Sequence, residues 1–297
     1  MTDHPHSKIP QIAFDWYDEY AHGDIDRRTF MTRLSQLTAA GLSMSVLTSA
    51  LLPNYALAEQ VSFNDPDIKA QYVVFDSPQG HGKGRGYLVT PTSLGGKGPV
   101  VLVVHENRGL NPYIADVARR LAKKGFIALA PDALYPLGGY PGNDDEGKAM
   151  QSSMDQAKIE QDFIAAAKYL KVYPSSNGRL GVVGFCFGGY ITNMLAAAAP
   201  DVVNAAVPFY GRPPKAELIS HIKAPLLLQF GALDERVNAT WPDYKDALKA
   251  NGARFTAYTY PGVNHGFHND STARYDKEAA ELAWSRTLEF FDKELKG

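Results

Sequence analysis

Apolar and polar positions along this chain follow two rhythms in turn. Val100-Val-Leu-Val-Val104 is an unbroken apolar run rich in β-branched residues, the pattern of a central parallel strand covered on both faces. Arg179-Leu-Gly-Val-Val183, Pro225-Leu-Leu-Leu-Gln-Phe230, Ile127–Ala130 and Ala205–Tyr210 are further runs of strand length, and Arg254–Tyr260 alternates as a strand does. Helical stretches lie between them. Tyr113–Lys124 is amphipathic, Gln156–Leu170 predicts a second helix, Gly189–Ala199 is rich in Ala and Leu, and Tyr244–Ala250 stops at Asn251-Gly252. Glu278–Leu295 carries aromatic and leucine residues at helical spacing, a stripe that core packing explains. Upstream, Gln71–Phe75 and Gly86–Val89 predict an antiparallel hairpin with Gly80-His-Gly-Lys-Gly-Arg-Gly86 as its tip. A phosphate cradle would need a helix after that glycine run, not a strand. A hairpin followed by alternating strands and helices predicts an α/β fold, a mostly parallel central sheet flanked by helices through right-handed crossovers.

Candidate chemistry sits where one of these strands meets a helix. Gly184-Phe-Cys186-Phe-Gly188 is a G-x-S-x-G nucleophile elbow with a thiol in place of the hydroxyl, and Cys186 is the only cysteine. The turn must be sharp enough to lift the nucleophile above the sheet edge, and glycines two residues either side remove Cβ atoms that would collide. The competing reading is a small buried core cysteine. Two further residues decide between them. Asp234 lies in the loop after strand 225–230, and His265 in the loop after strand 254–260. Singly, they would read as a turn cap and a polar loop residue. Together with Cys186 they stand in the order nucleophile, acid, histidine, each just past a strand's carboxyl end. The imidazole would exchange a proton with the thiol and with water, and the carboxylate would hold its tautomer.

These motifs resemble the dienelactone hydrolase family. The resemblance runs from about Gln71 to Leu295 and rests on His105-Glu106-Asn-Arg-Gly-Leu-Asn, Ser176-Asn-Gly, Gly184-Phe-Cys186-Phe-Gly-Gly, Leu233-Asp234-Glu and Gly262-Val-Asn-His265-Gly-Phe. It implies an α/β-hydrolase fold and a carboxymethylenebutenolidase-like enzyme whose Cys–His–Asp triad opens an activated ester or lactone without a cofactor. It also implies an oxyanion hole from the backbone N–H groups of Phe187 and Asn107. Glu106 becomes the acid that in this family contacts the resting thiol. In that strand order the run 100–104 adjoins the Cys186 strand, so Glu106 emerges at the same edge, where a carboxylate disfavours a thiolate. The alternative is that Glu106 pairs with Arg108 or caps the helix after Asn111. Substrate-binding candidates are Arg108, Tyr210, Arg212, Phe267 and His268. Family members acting on the chlorocatechol-derived lactone hold its carboxylate with arginines, one of them shortly after the histidine. Here His265-Gly-Phe-His268-Asn269-Asp270 has none at that place, nor does Asp144-Asp-Glu-Gly-Lys-Ala. Arg212 and Arg108 are left as sources of positive charge.

Composition agrees. The 297 residues are 45% hydrophobic, enough for one large α/β core. A formal net charge of −2 with no basic block gives no footprint for nucleic acid, so the expected partner is a small lactone or ester, bound by a monomer. One cysteine excludes an intramolecular disulfide, and no cluster has structural-zinc spacing. His265-x-x-His268, in a loop without a third ligand nearby, predicts no metal site. A non-enzymatic redox sensor or ligand-binding relative with one reactive thiol is the other function class, but a sensor needs no ordered Asp234 and His265.

The first 58 residues differ in kind. Arg27-Arg28-Thr-Phe-Met31 resembles a twin-arginine export signal, no charged residue occurs from Leu34 to Ala58, and Ala56-Leu57-Ala58 offers a cleavage site before Glu59. That predicts a leader over 1–58, a mature domain over 59–297 in the periplasm, and no stable membrane anchor after cleavage. Against it, residues 1–26 carry six acids and one lysine, an odd preface for a signal. A retained helix docked on the enzyme, in a cytoplasmic protein, is the alternative.

Overall fold

The computed structural model describes residues 9–22, 24–38, 42–51 and 54–296; the other residues of the predicted leader lie outside these. Among the described residues, helices α1 (Gln11–His22), α2 (Arg27–Thr38), α3 (Met44–Leu51) and α4 (Tyr55–Ala58) come first. The hairpin β1 (Ile68–Ser77) and β2 (Gly82–Pro91) follows. Then strands and helices alternate: β3 (Gly98–Val104), α5 (Pro112–Lys123), β4 (Ile127–Pro131), α6 (Asp144–Ser152), α7 (Gln156–Lys171), β5 (Ser176–Phe185) and α8 (Phe187–Ala198). The chain closes with β6 (Ala205–Phe209), β7 (Leu226–Gly231), α9 (Glu235–Asn238), α10 (Trp241–Ala250), β8 (Phe255–Tyr260) and α11 (Lys277–Phe291).

The sheet runs β1-β2-β4-β3-β5-β6-β7-β8, with β1, β2 and β4 joined antiparallel and all later pairs parallel. This is the strand order of an α/β-hydrolase. β3 pairs with β5, setting Val104 opposite Gly184, so the loops carrying Glu106 and Cys186 leave the same edge side by side. All seven residues of β3 are buried. Its side chains alternate: Val100, Leu102 and Val104 join the core under α7 and α8, while Val101 and Val103 join the core under α5 and α11. Each such Val or Leu contributes about 1.5–3 kcal/mol by leaving water, which is why an unbroken apolar run becomes the central strand.

Three expectations change. Only the start of the glycine run is at the hairpin tip: Gly80-His81 lies in the turn, whereas Gly82–Gly86 lies within β2, opposite Val73–Ser77. A Cβ at Gly84 would sit 2.3 Å from the Phe75 ring, so the glycine makes room for an aromatic ring across the strand pair rather than for a turn. Residues 144–152, read only as a stretch lacking arginine, form α6, capped by Asn143. The terminal helix stops at Phe291 and ends in a π turn over Asp292–Lys296.

The described part of the N-terminal segment has a small core of its own. Ala13, Tyr17, Phe30, Leu34, Leu47 and Leu51 bury one another. No helix among the described residues is long and apolar enough to cross a membrane.

Candidate active site

Cys186 occupies the single residue between β5 and α8, with φ 58° and ψ −113°. A residue bearing a Cβ rarely adopts positive φ; such strain costs about 1–3 kcal/mol and persists only where the surroundings over-determine it. Here its N–H bonds to the Phe209 carbonyl at 3.1 Å and its own carbonyl accepts from Tyr190 N–H at 3.1 Å. The backbones around it are too close for side chains: a Cβ on Gly184 would lie 2.1 Å from the Gly188 carbonyl oxygen, and one on Gly188 2.2 Å from that of Val104. The sulfur is thereby presented at the first turn of α8, whose opening N–H groups have no carbonyl partner within the helix. Among the described residues Tyr210, at the end of the neighbouring strand, is the other non-glycine residue with positive φ, 39°.

His265 and Asp234 are both almost fully buried. Nδ1 of His265 lies 2.7 Å from Oδ2 of Asp234, while the other carboxylate oxygen accepts from Val237 N–H at 3.1 Å and caps α9. The histidine loop is held by its neighbour, since Asn264 Oδ1 accepts His265 N–H at 2.7 Å. The Tyr210 ring packs 4.8 Å from the imidazole. Cys186, Asn107, Phe187, Tyr210, Arg212 and His265 line one cavity of about 140 Å³.

Glu106 is buried beside this cavity, and Asn269 Nδ2 donates to its Oε2 at 2.9 Å. Burial pushes its carboxyl above the ordinary value, Arg108 and Arg274 pull it down, and the charge of Cys186 raises it further. His105 locks the same turn. Its Nδ1 donates to the Glu106 carbonyl at 2.5 Å and its Nε2 accepts from Ala133 N–H at 3.1 Å, an arrangement only the neutral ring allows. Burial pushes its pKa down, in agreement.

A model of the dienelactone hydrolase family matches residues 85–295. The chain belongs to this family. A second model, YqhI-like, matches residues 1–40. "Putative hydrolase fragment YghX" of Escherichia coli (strain K12) is 63% identical over 109 residues, covering 37% of this chain and 93% of that protein. "Putative carboxymethylenebutenolidase" of Synechocystis sp. is 33% identical over 230 residues, covering 71% of this chain and 92% of that protein. Among solved structures, "Putative Dienelactone Hydrolase" from Klebsiella pneumoniae superposes with a TM-score of 0.66 at 29% identity, over 75% of this chain and 99% of that one.

Not every residue singled out in this dienelactone hydrolase-family sequence reaches the cavity. His268 is a core histidine: its ring stacks on Phe185, its Nδ1 lies 2.7 Å from the Tyr113 hydroxyl, and burial pushes its pKa down to about 3. Phe267 is fully buried against Tyr210 and Tyr260. Arg108 does not line the cavity either; its Nη1 donates to Asp144 at 2.9 Å, in a half-buried cluster that Tyr55 and Tyr140 complete. Nor is Glu106 the cap of α5, because Asn111 does that through Ile114 N–H. Conversely, Tyr190, Arg236 and Val237 line the cavity, brought there by α8 and α9. Asn264, Asn269 and His105 support the site, and a place inside or beside a motif was their only signal in the sequence. Arg274 brings a positive charge to Glu106 from beyond that segment; it packs on Gly266 across a loop whose path no periodicity reveals. Among the described residues no group of three His, Cys, Asp or Glu side chains is placed to hold a metal.

Proposed function

We propose that this hydrolase opens lactones or activated carboxylic esters through a thioester on Cys186. The reading rests on one observation: a strained Cys186 at a helix amino terminus shares a cavity with His265, whose Nδ1 is fixed on Asp234. His265 Nε2 takes the thiol proton as sulfur attacks the carbonyl carbon. The backbone N–H groups of Phe187 and Asn107 receive the negative oxygen of the tetrahedral intermediate. Collapse breaks the ester C–O bond, and the imidazolium returns its proton to the departing alkoxide. Water, deprotonated by His265, then cleaves the thioester, releasing the acid and restoring the thiol. Asp234 stabilises the imidazolium formed in both halves. Glu106 discourages a resting thiolate and so protects the sole cysteine between turnovers.

The cavity is smaller than the 300–1,000 Å³ usual for drug-sized ligands, which favours a short acyl group. Cys186→Ala should abolish hydrolysis of p-nitrophenyl acetate while leaving the thermal midpoint nearly unchanged. Wild-type enzyme quenched during turnover should carry an acyl group on Cys186 by mass spectrometry. Turnover retained in the alanine variant would end the thiol-hydrolase reading.

Export is a separate proposal, carried by Arg27-Arg28, the uncharged run from Leu34 to Ala58, and Ala56-Leu57-Ala58. Cleavage after Ala58 would have to free Tyr55 from Asp144 and the Ala58 carbonyl from Arg120. Arg27→Lys with Arg28→Lys should trap the protein inside the cell although charge is conserved. The exported form should begin near Glu59; a full-length cytoplasmic protein would refute this.

A further inference from the structure

Helix α1 does not lie apart from the catalytic domain. Asn264, next to His265, donates from Nδ2 to Asp15 Oδ1 at 3.3 Å. On the other side of the site, the Tyr17 ring centroid lies 5.6 Å from the guanidinium carbon of Arg108 and 4.9 Å from that of Arg274. These two cations act on Glu106 from opposite segments of the chain, and one buried ring packs against both of them. Helix α6 anchors the same unit: Arg27 lies 3.6 Å from Asp145, and Lys148 Nζ donates to the Tyr20 carbonyl. Between α1 and the loops of Asp234 and Asn264 lies a cleft of about 470 Å³, and Arg236 borders both this cleft and the cavity of Cys186. The residues that form α1 and α2 fall inside a segment, 1–40, that matches a family model distinct from the one covering the catalytic domain.

From this geometry we infer that the N-terminal helices are a roof over the catalytic cleft, and that Tyr17 is a specificity-determining residue which keeps bulky acyl groups from Cys186. The inference rests on the thiol-hydrolase reading for its substrate but not for its geometry. The roof spans from the loop after β3, at Arg108, to the loop after β8, at Asn264, and so covers the carboxyl edge of the sheet from which Cys186 projects. With the roof in place, reagents reach the sulfur through the cavity of about 140 Å³. With Tyr17 removed, the space above Arg108, Arg274 and Glu106 joins the approach to the thiol. A chain processed after Ala58 would lose the roof altogether and accept larger substrates than the full-length chain.

The test uses the full chain with Tyr17→Ala and, separately, Leu34→Asp, which puts a charge into the fully buried centre of the roof's own core. Cys186 is the only cysteine, so alkylation reports access whether or not the enzyme turns over. The N-phenylmaleimide rate relative to the iodoacetamide rate should rise at least about tenfold in both variants. The kcat/KM for p-nitrophenyl octanoate relative to the acetate should rise by a similar factor. Trypsin cutting after Arg27 or Arg28 will show that the Leu34→Asp roof has loosened. Unchanged alkylation ratios in a variant whose roof trypsin cuts would overturn the inference. Higher alkylation ratios without ester hydrolysis would uphold the roof while refuting the hydrolase reading.

Discussion

Asp234→Asn is the sharpest test of the site, because the two oxygens of Asp234 have different work. Oδ1 accepts Val237 N–H at 3.1 Å, and Oδ2 faces His265 Nδ1 at 2.7 Å. Asparagine has one oxygen, and the backbone N–H of Val237 can only donate, so the amide oxygen must stay on the cap and the NH₂ group must face His265. Nδ1 then has to accept, its proton moves to Nε2, and the nitrogen proposed to take the thiol proton loses the lone pair it needs. The expected loss in kcat/KM is about 10⁴-fold, the size seen when a serine-protease triad carboxylate becomes an amide, or about 5 kcal/mol of transition-state stabilisation. Stability should fall far less. A charge-assisted bond worth about 1.5–3 kcal/mol gives way to a neutral one worth about 1, while the cap survives. A net loss of about 1–2 kcal/mol lowers the thermal midpoint by about 2–8 °C in a domain this size. The assay is stopped-flow release of nitrophenol from p-nitrophenyl acetate, with a thermal melt on the same sample. A variant within tenfold of wild-type kcat/KM would refute the tautomer argument, and the role of Asp234 with it.

The other expectations are briefer. Glu106→Gln preserves the bond from Asn269 but removes an acid, so alkylation of Cys186 near neutral pH should become severalfold faster; an unchanged rate would remove Glu106 from thiol control. The same variant tests linkage. Burial raises the Glu106 carboxyl, so its contribution to stability is complete below the ordinary glutamate range and is lost as pH rises through the folded-state value. The variant's stability should therefore fall less between pH 4 and neutrality than that of wild type, as urea titrations would show. Gly188→Ala drives a Cβ to 2.2 Å from a backbone oxygen and should misplace the elbow, leaving little soluble, active protein; a well-folded, active variant would contradict the packing described here.

How much of this was legible beforehand follows from what each feature depends on. β3, β5 and the elbow are local. A run of buried apolar residues and a glycine-bracketed cysteine carry their own physics, so Cys186, Asp234 and His265 could be ordered along the chain before any fold was known. Strand order then placed Glu106 near Cys186, because Val104 and Gly184 are paired. His268 was not legible, since a histidine in a motif looks the same whether it faces a substrate or Phe185. Nor was Arg108, whose charge is taken up by Asp144, a residue 36 positions away that only the packing of α6 brings near. Arg274 and Tyr17 are further removed still. Each approaches the site through contacts between segments that share no period and no spacing. The sequence by itself determined the alternation of elements and the chemistry at the strand ends, because burial and backbone sterics act over a few residues. Tertiary structure alone decided which arginines face Glu106 and that Tyr17 covers them, because those contacts join residues that only the assembled sheet edge brings within reach.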